Sequence, residues 1–259
     1  MSLNYFDLVF VVDTTGSMGG FISSAKLHML EMIAELTEKN KHIDMHLGLV
    51  EYRDHLPEDD VLTINYPMTG DFEEMKKHIN ALSLGYGGDI PEAVLDGIEE
   101  AILNLLWRPN ARKIIILIGD APPHGYYRGH DHWPEGCPCG KSISSTACLL
   151  EEEGITLYSI GLSREVKDSF EQLSCLSGGC HFFSTSSGSI KEIQSLVTEE
   201  FKDVAFDQDV LSLFEENCSK EEMAERLHTS MGDVLRSLGR LRSRDFLPDQ
   251  DKKHVHAGL

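Results

Sequence analysis

Three apolar runs of strand length, FDLVFVV at 6–12, KIIILIG at 113–119 and ITLYSIG at 155–161, constrain this chain more than any other feature. Each carries so few polar residues that both faces of the strand must be covered, the condition of a central strand in a parallel sheet with helices on either side. The stretches between the runs supply those helices. Phe21, Ile22, Met29, Leu30, Ile33 and Leu36 recur at helical spacing after the first run. Residues 72–82 are helical in period, 91–107 read as a helix with Pro91 in its first turn, and another helix closes at the acidic stretch 151–154. Residues 45–52 and 61–66 add two strands, 182–183 a last short strand, and 190–204 a closing helix. The pattern predicts an α/β fold, a doubly wound, mostly parallel six-stranded sheet over residues 1–206. Such sheets bind ligands outside the carboxyl ends of their strands, where the loops at 13–17, 85–92 and 120–140 meet.

At 259 residues the chain has room for a main domain of about 200 residues and a small appendage. Charge density changes after Phe206: residues 1–206 carry a net −17 and residues 207–259 a net −3. A boundary near 206 follows, with a helical module over 207–259. The total of −20 repels phosphate backbones and favours divalent cations or basic partners. No apolar run is long enough to span a membrane, and the first residues lack the basic and apolar regions of an export signal. The six cysteines are then expected to be free thiols or metal ligands in a cytoplasmic protein. Cys175 and Cys180 read as packed thiols beside a turn.

Hard oxygen donors gather in three of the loops. Asp13, Thr15 and Ser17 follow the first strand with alternate residues free to point to one side. Gly87, Gly88 and Asp89 approach a helix start, and Asp120 ends the strand at 113–119. Mg²⁺ takes six oxygens near octahedral geometry and keeps several waters, so a few carboxylates and hydroxyls from separate loops suit it, with Mn²⁺ or Ca²⁺ as substitutes. Asp13, Thr15 and Ser17 also read as a helix-capping turn after a strand, because Asp, Thr and Ser are favoured caps. A hydrolase built on Asp13, Asp89 and Asp120 with His124 as base is a further alternative, but no nucleophile motif accompanies it.

The order D-x-T-x-S, then GGDxPE, then DAPPHG, over about residues 5–206, resembles the von Willebrand factor A family. Within that family the likeness is to the intracellular type found beside alpha-type kinases. The resemblance implies a Rossmann-like fold and an adhesion-type metal site of Asp13, Thr15, Ser17, Asp89 and Asp120. It also implies a non-catalytic, Mg²⁺-dependent protein-interaction module, a scaffold or signalling adaptor whose partner offers an acidic side chain to the metal. Asp89 stands where the family usually has Thr. Direct coordination by Asp89 would cancel more of the metal's charge, tightening metal binding and weakening the pull on an incoming carboxylate.

Two further clusters stand out. His124, His130, His132, Cys137 and Cys139 crowd one loop and form a candidate zinc set, although C-x-C is not a standard spacing; the alternative is an aromatic partner-binding loop. In the C-terminal module a helix over 210–217, a capping box at Ser219 and Glu222, and a third helix with Val234, Leu235, Leu238 and Leu241 resemble a winged helix-turn-helix. Arg236, Arg240, Arg242 and Arg244 give the last helix a basic stripe for phosphates or for an acidic protein surface. The alternative function is therefore a DNA-binding regulator with the α/β domain as sensor. The acidic surroundings of the stripe favour protein docking over nucleic acid.

Overall fold

The computed structural model describes residues 3–39, 43–183 and 188–248. Six strands form one sheet in the order β3-β2-β1-β4-β5-β6, with β1 Tyr5–Asp13, β2 Asp44–Tyr52, β3 Thr63–Thr69, β4 Arg112–Gly119, β5 Ile155–Gly161 and β6 His181–Phe183. All neighbours are parallel except β3, which runs antiparallel along β2. The three runs that dominate the sequence are the three central strands, β1, β4 and β5. Their side chains alternate between two separate cores, as the two-residue period of a strand requires. Phe6, Leu8, Phe10 and Val12 pack with Ile114 and Ile116 under α1 (Ile22–Lys39), α2 (Phe72–Ala81) and α6 (Gly188–Glu215). Val9 and Val11 pack with Ile115 and Leu117 under α3 (Val94–Asn104), α4 (Ile143–Glu152) and α5 (Lys167–Leu176).

The ends of two helices depart from the sequence expectation, and both departures matter. α3 begins at Val94, not at Pro91. Residues 91–93 stay out of the helix because Glu92 donates its N–H to the Pro122 carbonyl at 3.0 Å and forms a one-residue parallel bridge with Pro123. α6 does not close near 204: it runs unbroken to Glu215, so the separate helix expected over 210–217 is its last turns and position 206 lies mid-helix. One surface of that helix explains the continuity. Val197, Phe201 and Val204 pack against the sheet, and Val210 enters a third cluster with Leu3, Met223, Val234, Leu238, Leu241 and Leu247.

α7 (Lys220–Arg226) and α8 (Met231–Ser243) complete the C-terminal module. Both open with capping boxes, Ser219 with Glu222 and Ser230 with Asp233. Among the described residues no strand follows β6 and no wing is seen; residues 249–259 lie outside those described. Leu235, expected on the apolar face of α8, is exposed.

Candidate metal centre

The strand order places β1 and β4 side by side, and the chain leaves β1 toward β2 on one flank and β4 toward β5 on the other. Their carboxyl ends are the topological switch point, where an open α/β sheet has its natural crevice. Asp13 is the last residue of β1 and Asp120 follows the last residue of β4, so the topology alone brings the two carboxylates to one rim. The loop after β1 then folds back on itself. Thr15 donates its N–H and its hydroxyl to Asp13 Oδ1 at 2.9 and 2.6 Å, Thr15 Oγ1 lies 3.2 Å from Ser17 Oγ, and Ser17 donates to Asp120 Oδ1 at 2.8 Å. Four of the five residues expected to form the site therefore form one connected cluster.

The fifth does not join it by hydrogen bonds. Asp89 Oδ2 accepts from the His132 N–H at 2.6 Å, and its carboxylate lies within 4.8 Å of ligand atoms of His124 and Asp131. Glu92 brings the second loop to the cluster instead. Its Oε1 lies so close to Gly87 that an added Cβ there would stand 3.2 Å from it and 3.7 Å from Thr15 Cβ. Sequence reasoning overlooked Glu92 because a Pro-Glu pair reads as the first turn of a helix, whereas the bridge to Pro123 keeps it extended and aimed at the rim.

Tyr52 forms the floor. It is wholly buried, and only glycine fits beside it: a Cβ on Gly119 would stand 2.3 Å from its hydroxyl, and one on Gly97 would stand 2.7 Å from its Cβ. Asp13 Oδ2, Glu92 Oε2 and the Tyr52 hydroxyl are all buried without a hydrogen-bond partner. Buried polar atoms are almost always paired, so three orphans converging from the ends of β1 and β2 and from the segment before α3 mark a place built for another species.

The electrostatics specify its sign. Burial, then the charge of Asp120, pushes the Asp13 carboxyl up to about 7, against the hydrogen bonds from Thr15. Burial, then the charges of Asp13 and Asp54, pushes Glu92 up to about 11. Burial also raises Asp120, and Tyr52 is raised by burial and then by Asp13, Asp120 and Glu92. No cationic side chain contributes to any of these shifts. A hard divalent cation would supply what the cluster lacks: Asp13, Thr15, Ser17, Glu92 and Asp120 offer only oxygen, a donor set that fits such an ion.

The loop over 120–142 is divided among different partners, which corrects the expected five-residue zinc set. His124 is buried and spans two carboxylates, Nε2 to Asp54 Oδ1 at 2.7 Å and Nδ1 to Asp131 Oδ1 at 2.9 Å. Burial alone would lower its pKa, but these two partners raise it, so the ring braces the loop between two carboxylates. His132 pairs with Glu58, and the His130 ring meets His132 edge to face with centroids 4.9 Å apart. Cys137 and Cys139 face His55 and Asp96. Asp54 and His55 were also missed. The run Arg53-Asp54-His55 directly after β2 was the available signal, since polar residues at the carboxyl end of a parallel strand face the crevice. Cys175 is exposed rather than packed, and both it and Cys180 are free.

The C-terminal arginines are largely occupied within the chain. Arg240 makes a two-pronged contact with buried Asp207, at 3.0 Å from Nε and 2.6 Å from Nη2. Arg244 is buried and donates to the carbonyls of Asn110 at 3.0 Å and Leu3 at 2.8 Å. Arg242 is half-buried, and exposed Arg236 pairs with Asp233. The expected basic stripe is thus turned inward for the most part.

Fold and oxygen cluster together define a Rossmann-like domain with an acidic site at the switch point of its sheet. The chain belongs to the von Willebrand factor type A domain family, whose model matches residues 7–198. It is 34% identical over 158 residues to the alpha-protein kinase vwkA of Dictyostelium discoideum, covering 59% of this chain and 24% of that protein. It is 33% identical over 129 residues to a putative ariadne-like RING finger protein of Acanthamoeba polyphaga mimivirus, covering 49% of this chain and 12% of that protein. The chain thus matches a quarter or less of the length of these two relatives. Among solved structures, proximal thread matrix protein 1 from the mussel byssus, with a zinc-occupied MIDAS motif, superposes with a TM-score of 0.54 at 17% identity, covering 74% of this chain and 46% of that one. BatB from Bacteroides thetaiotaomicron superposes with a TM-score of 0.53 at 14% identity, covering 77% of this chain and 98% of that one. These two likenesses concern the fold.

Proposed function

We propose that this chain is a non-catalytic, Mg²⁺-dependent protein-interaction module that works inside the cell. The observation that carries the proposal is the convergence of Asp13, Glu92 and Asp120 on orphaned buried oxygens with no cationic side chain among them. Asp13, Thr15, Ser17, Glu92 and Asp120 would hold the ion, which supplies positive charge and fixes the three loops in one arrangement. Three carboxylates cancel its charge, so the ion's main task is to shape the rim, and a partner's acidic group is drawn to it only weakly.

The rim has what a protein partner needs. Phe21, Leu84, Tyr86, Ile90 and Tyr126 are large apolar residues left exposed on loops at this end of the sheet. Leu84 packs beside Gly19, and the Tyr86 carbonyl accepts from the Gly16 N–H at 3.2 Å, so part of this set adjoins the metal loop. Clustered exposed aromatics mark interaction surfaces. Similar segments occur within a protein named as a kinase and one named as a RING finger protein. A segment shared by proteins of such different chemistry supports recognition as its contribution. Among the described residues no helix is long and apolar enough to cross a membrane. The six cysteines form no disulfide, the usage expected of a reducing, intracellular compartment. Arg240 and Arg244 are spent on internal contacts, which leaves the nucleic-acid alternative with little surface to work with.

Titration calorimetry with Mg²⁺ tests the proposal. The wild-type chain should bind the ion, Asp13→Ala should abolish binding while circular dichroism shows the fold intact, and Glu92→Gln should weaken it more than Asp89→Asn does. Undiminished Mg²⁺ binding by Asp13→Ala would remove the site as described.

A further inference from the structure

We propose that Cys137, Cys139, His55 and Asp96 form a structural zinc site, separate from the oxygen cluster, that staples the long loop over residues 120–142 to the rest of the domain. The four residues come from the loop, the end of β2 and the start of α3, and their donor atoms all lie within 4.8 Å of one another. Cys137 Sγ stands 3.2 Å from Asp96 Oδ2 and 3.5 Å from His55 Nε2; His55 Nε2 stands 3.2 Å from Asp96 Oδ2; Cys139 Sγ stands 4.0 Å from His55 Nδ1. Donors bound tetrahedrally to zinc, with Zn–S of about 2.3 Å and Zn–N or Zn–O of about 2.0–2.1 Å, stand about 3.3–3.8 Å apart. Cys137 Sγ, Asp96 Oδ2 and His55 Nε2 are therefore spaced close to three corners of such a tetrahedron, and Cys139 Sγ, which lies nearest the other imidazole nitrogen, completes the group within 4.8 Å.

Two backbone N–H groups point at the Cys137 sulfur. Cys139 donates its N–H to Cys137 Sγ at 3.3 Å, and the Lys141 N–H acts on the same sulfur. Gly140, in the left-handed region at φ 76°, makes the turn that allows this. Amide donors to sulfur are the outer-shell contacts that stabilise metal-bound thiolates. On the far side, Lys141 Nζ reaches Asp96 Oδ1 at 3.1 Å and Glu99 Oε2 at 3.3 Å. Two thiolates, one carboxylate and Zn²⁺ sum to one negative charge, and Lys141 is placed to balance it. His55, Asp96 and Cys137 are buried and only Cys139 is exposed, so four protein donors close the coordination shell as in structural zinc sites.

The loop itself requires such a device. Among residues 120–142 there is no helix or strand, yet His124 and Cys137 are buried. Unstructured loops of this length are uncommon in compact domains unless something fixes them. Zinc also discriminates between the two sites: soft thiolates select it, whereas the oxygen cluster suits harder ions. Binding would replace the two thiol protons, releasing them to solvent while both sulfurs keep their electron pairs for the metal.

The test is metal analysis of the full chain, purified without chelator, together with the Asp13→Ala, Cys137→Ser and Cys139→Ser variants. Bound zinc should appear in the wild type and persist in Asp13→Ala, where the oxygen cluster is broken. It should fall about tenfold or more in each cysteine variant. Because Cys137→Ser removes a buried group and can fail to fold, the exposed Cys139→Ser provides the independent arm. Cobalt gives a second readout: the wild type and Asp13→Ala loaded with Co²⁺ should show the intense visible bands of a tetrahedral site and sulfur-to-cobalt charge transfer, absent in Cys139→Ser. Zinc that disappears in Asp13→Ala but stays in Cys139→Ser would place the metal in the oxygen cluster and overturn the proposal. So would a wild-type chain without zinc and without the cobalt spectrum.

Discussion

Replacing Asp13 by asparagine should make the metal-free chain more stable, although the substitution removes a principal metal ligand. The folded-state carboxyl is raised from 3.8 to about 7, so the native chain holds this proton more tightly than the unfolded one. Such a group costs no stability below its unfolded value; the cost grows as pH rises from 3.8 to about 7 and is constant above that. A displacement of this size corresponds to about 4 kcal/mol. Asparagine keeps the acceptor that Thr15 uses but places an amide where Oδ2 lies unpartnered, and an unsatisfied buried donor costs about 1–3 kcal/mol. The net gain should be about 1–3 kcal/mol, or roughly 3–10 °C in Tm for a domain of this size. Thermal unfolding followed by circular dichroism in Mg²⁺-free buffer at about pH 8 measures it, and at about pH 5, below the raised value, the gain should shrink. Mg²⁺ at about a hundredfold over its dissociation constant adds about 2.7 kcal/mol to the wild type and little to the variant, which should close or reverse the gap. If the variant is the less stable at both pH values and Mg²⁺ leaves the wild type unmoved, the cluster is not an anionic site awaiting a cation.

Two other perturbations test the scaffold around the site. Glu200 accepts from Arg112 at 2.7 Å through both oxygens and from the Tyr158 hydroxyl at 2.7 Å, so Glu200→Ala should cost about 3–5 kcal/mol in a denaturant titration at neutral pH. Burial opposes ionisation of Glu200, but Arg112 holds its pKa below the ordinary 4.5; the contribution is therefore complete above that value and lost as pH falls through the lower folded one, and wild type and variant should converge in strong acid. Arg240→Ala, which strands buried Asp207, should destabilise by about 3 kcal/mol, whereas Arg236→Ala should leave Tm unchanged. Equal effects would mean that α8 is not docked on α6 through this pair.

The parts of the molecule that were legible in sequence are those in which one physical requirement acts alone. Strands buried on both faces demand unbroken apolar runs, so β1, β4 and β5 were read within a residue of their ends, and the carboxylates that close two of them, Asp13 and Asp120, followed from position. The capping box at Ser219 is equally local. What escaped depends on contacts distant in sequence. Glu92 is aimed by Pro122 and Pro123, thirty residues on. His55 and Asp96 meet Cys137 and Cys139 only because the end of β2, the start of α3 and the loop after β4 share one rim, a juxtaposition the loop's own run of histidines and cysteines does not announce. The inward turn of Arg240 depends on Asp207, which a continuous α6 carries past the expected boundary at 206.

Asp54 and His55 join the two sites on that rim. Asp54 Oδ1 accepts from His124 Nε2 at 2.7 Å and from the His55 N–H at 2.7 Å, and its charge acts on Glu92. His55 meets the thiols one residue later. The loop that starts at Asp120 in the oxygen cluster is braced by His124 and pinned by Cys137, so a displacement at either end is felt along it. Loss of zinc in Cys139→Ser should therefore weaken Mg²⁺ binding, and coupling of about 1–3 kcal/mol gives a five- to 150-fold change in affinity. Linkage makes the effect reciprocal: saturating Mg²⁺ should tighten zinc by the same factor. Calorimetric titration of Mg²⁺ into the wild type and Cys139→Ser, paired with zinc competition against a chromogenic chelator with and without Mg²⁺, measures both directions. Identical Mg²⁺ affinities in the two chains would mean that the Asp54–His55 pair and the loop transmit nothing, and that each metal acts on its own part of the rim.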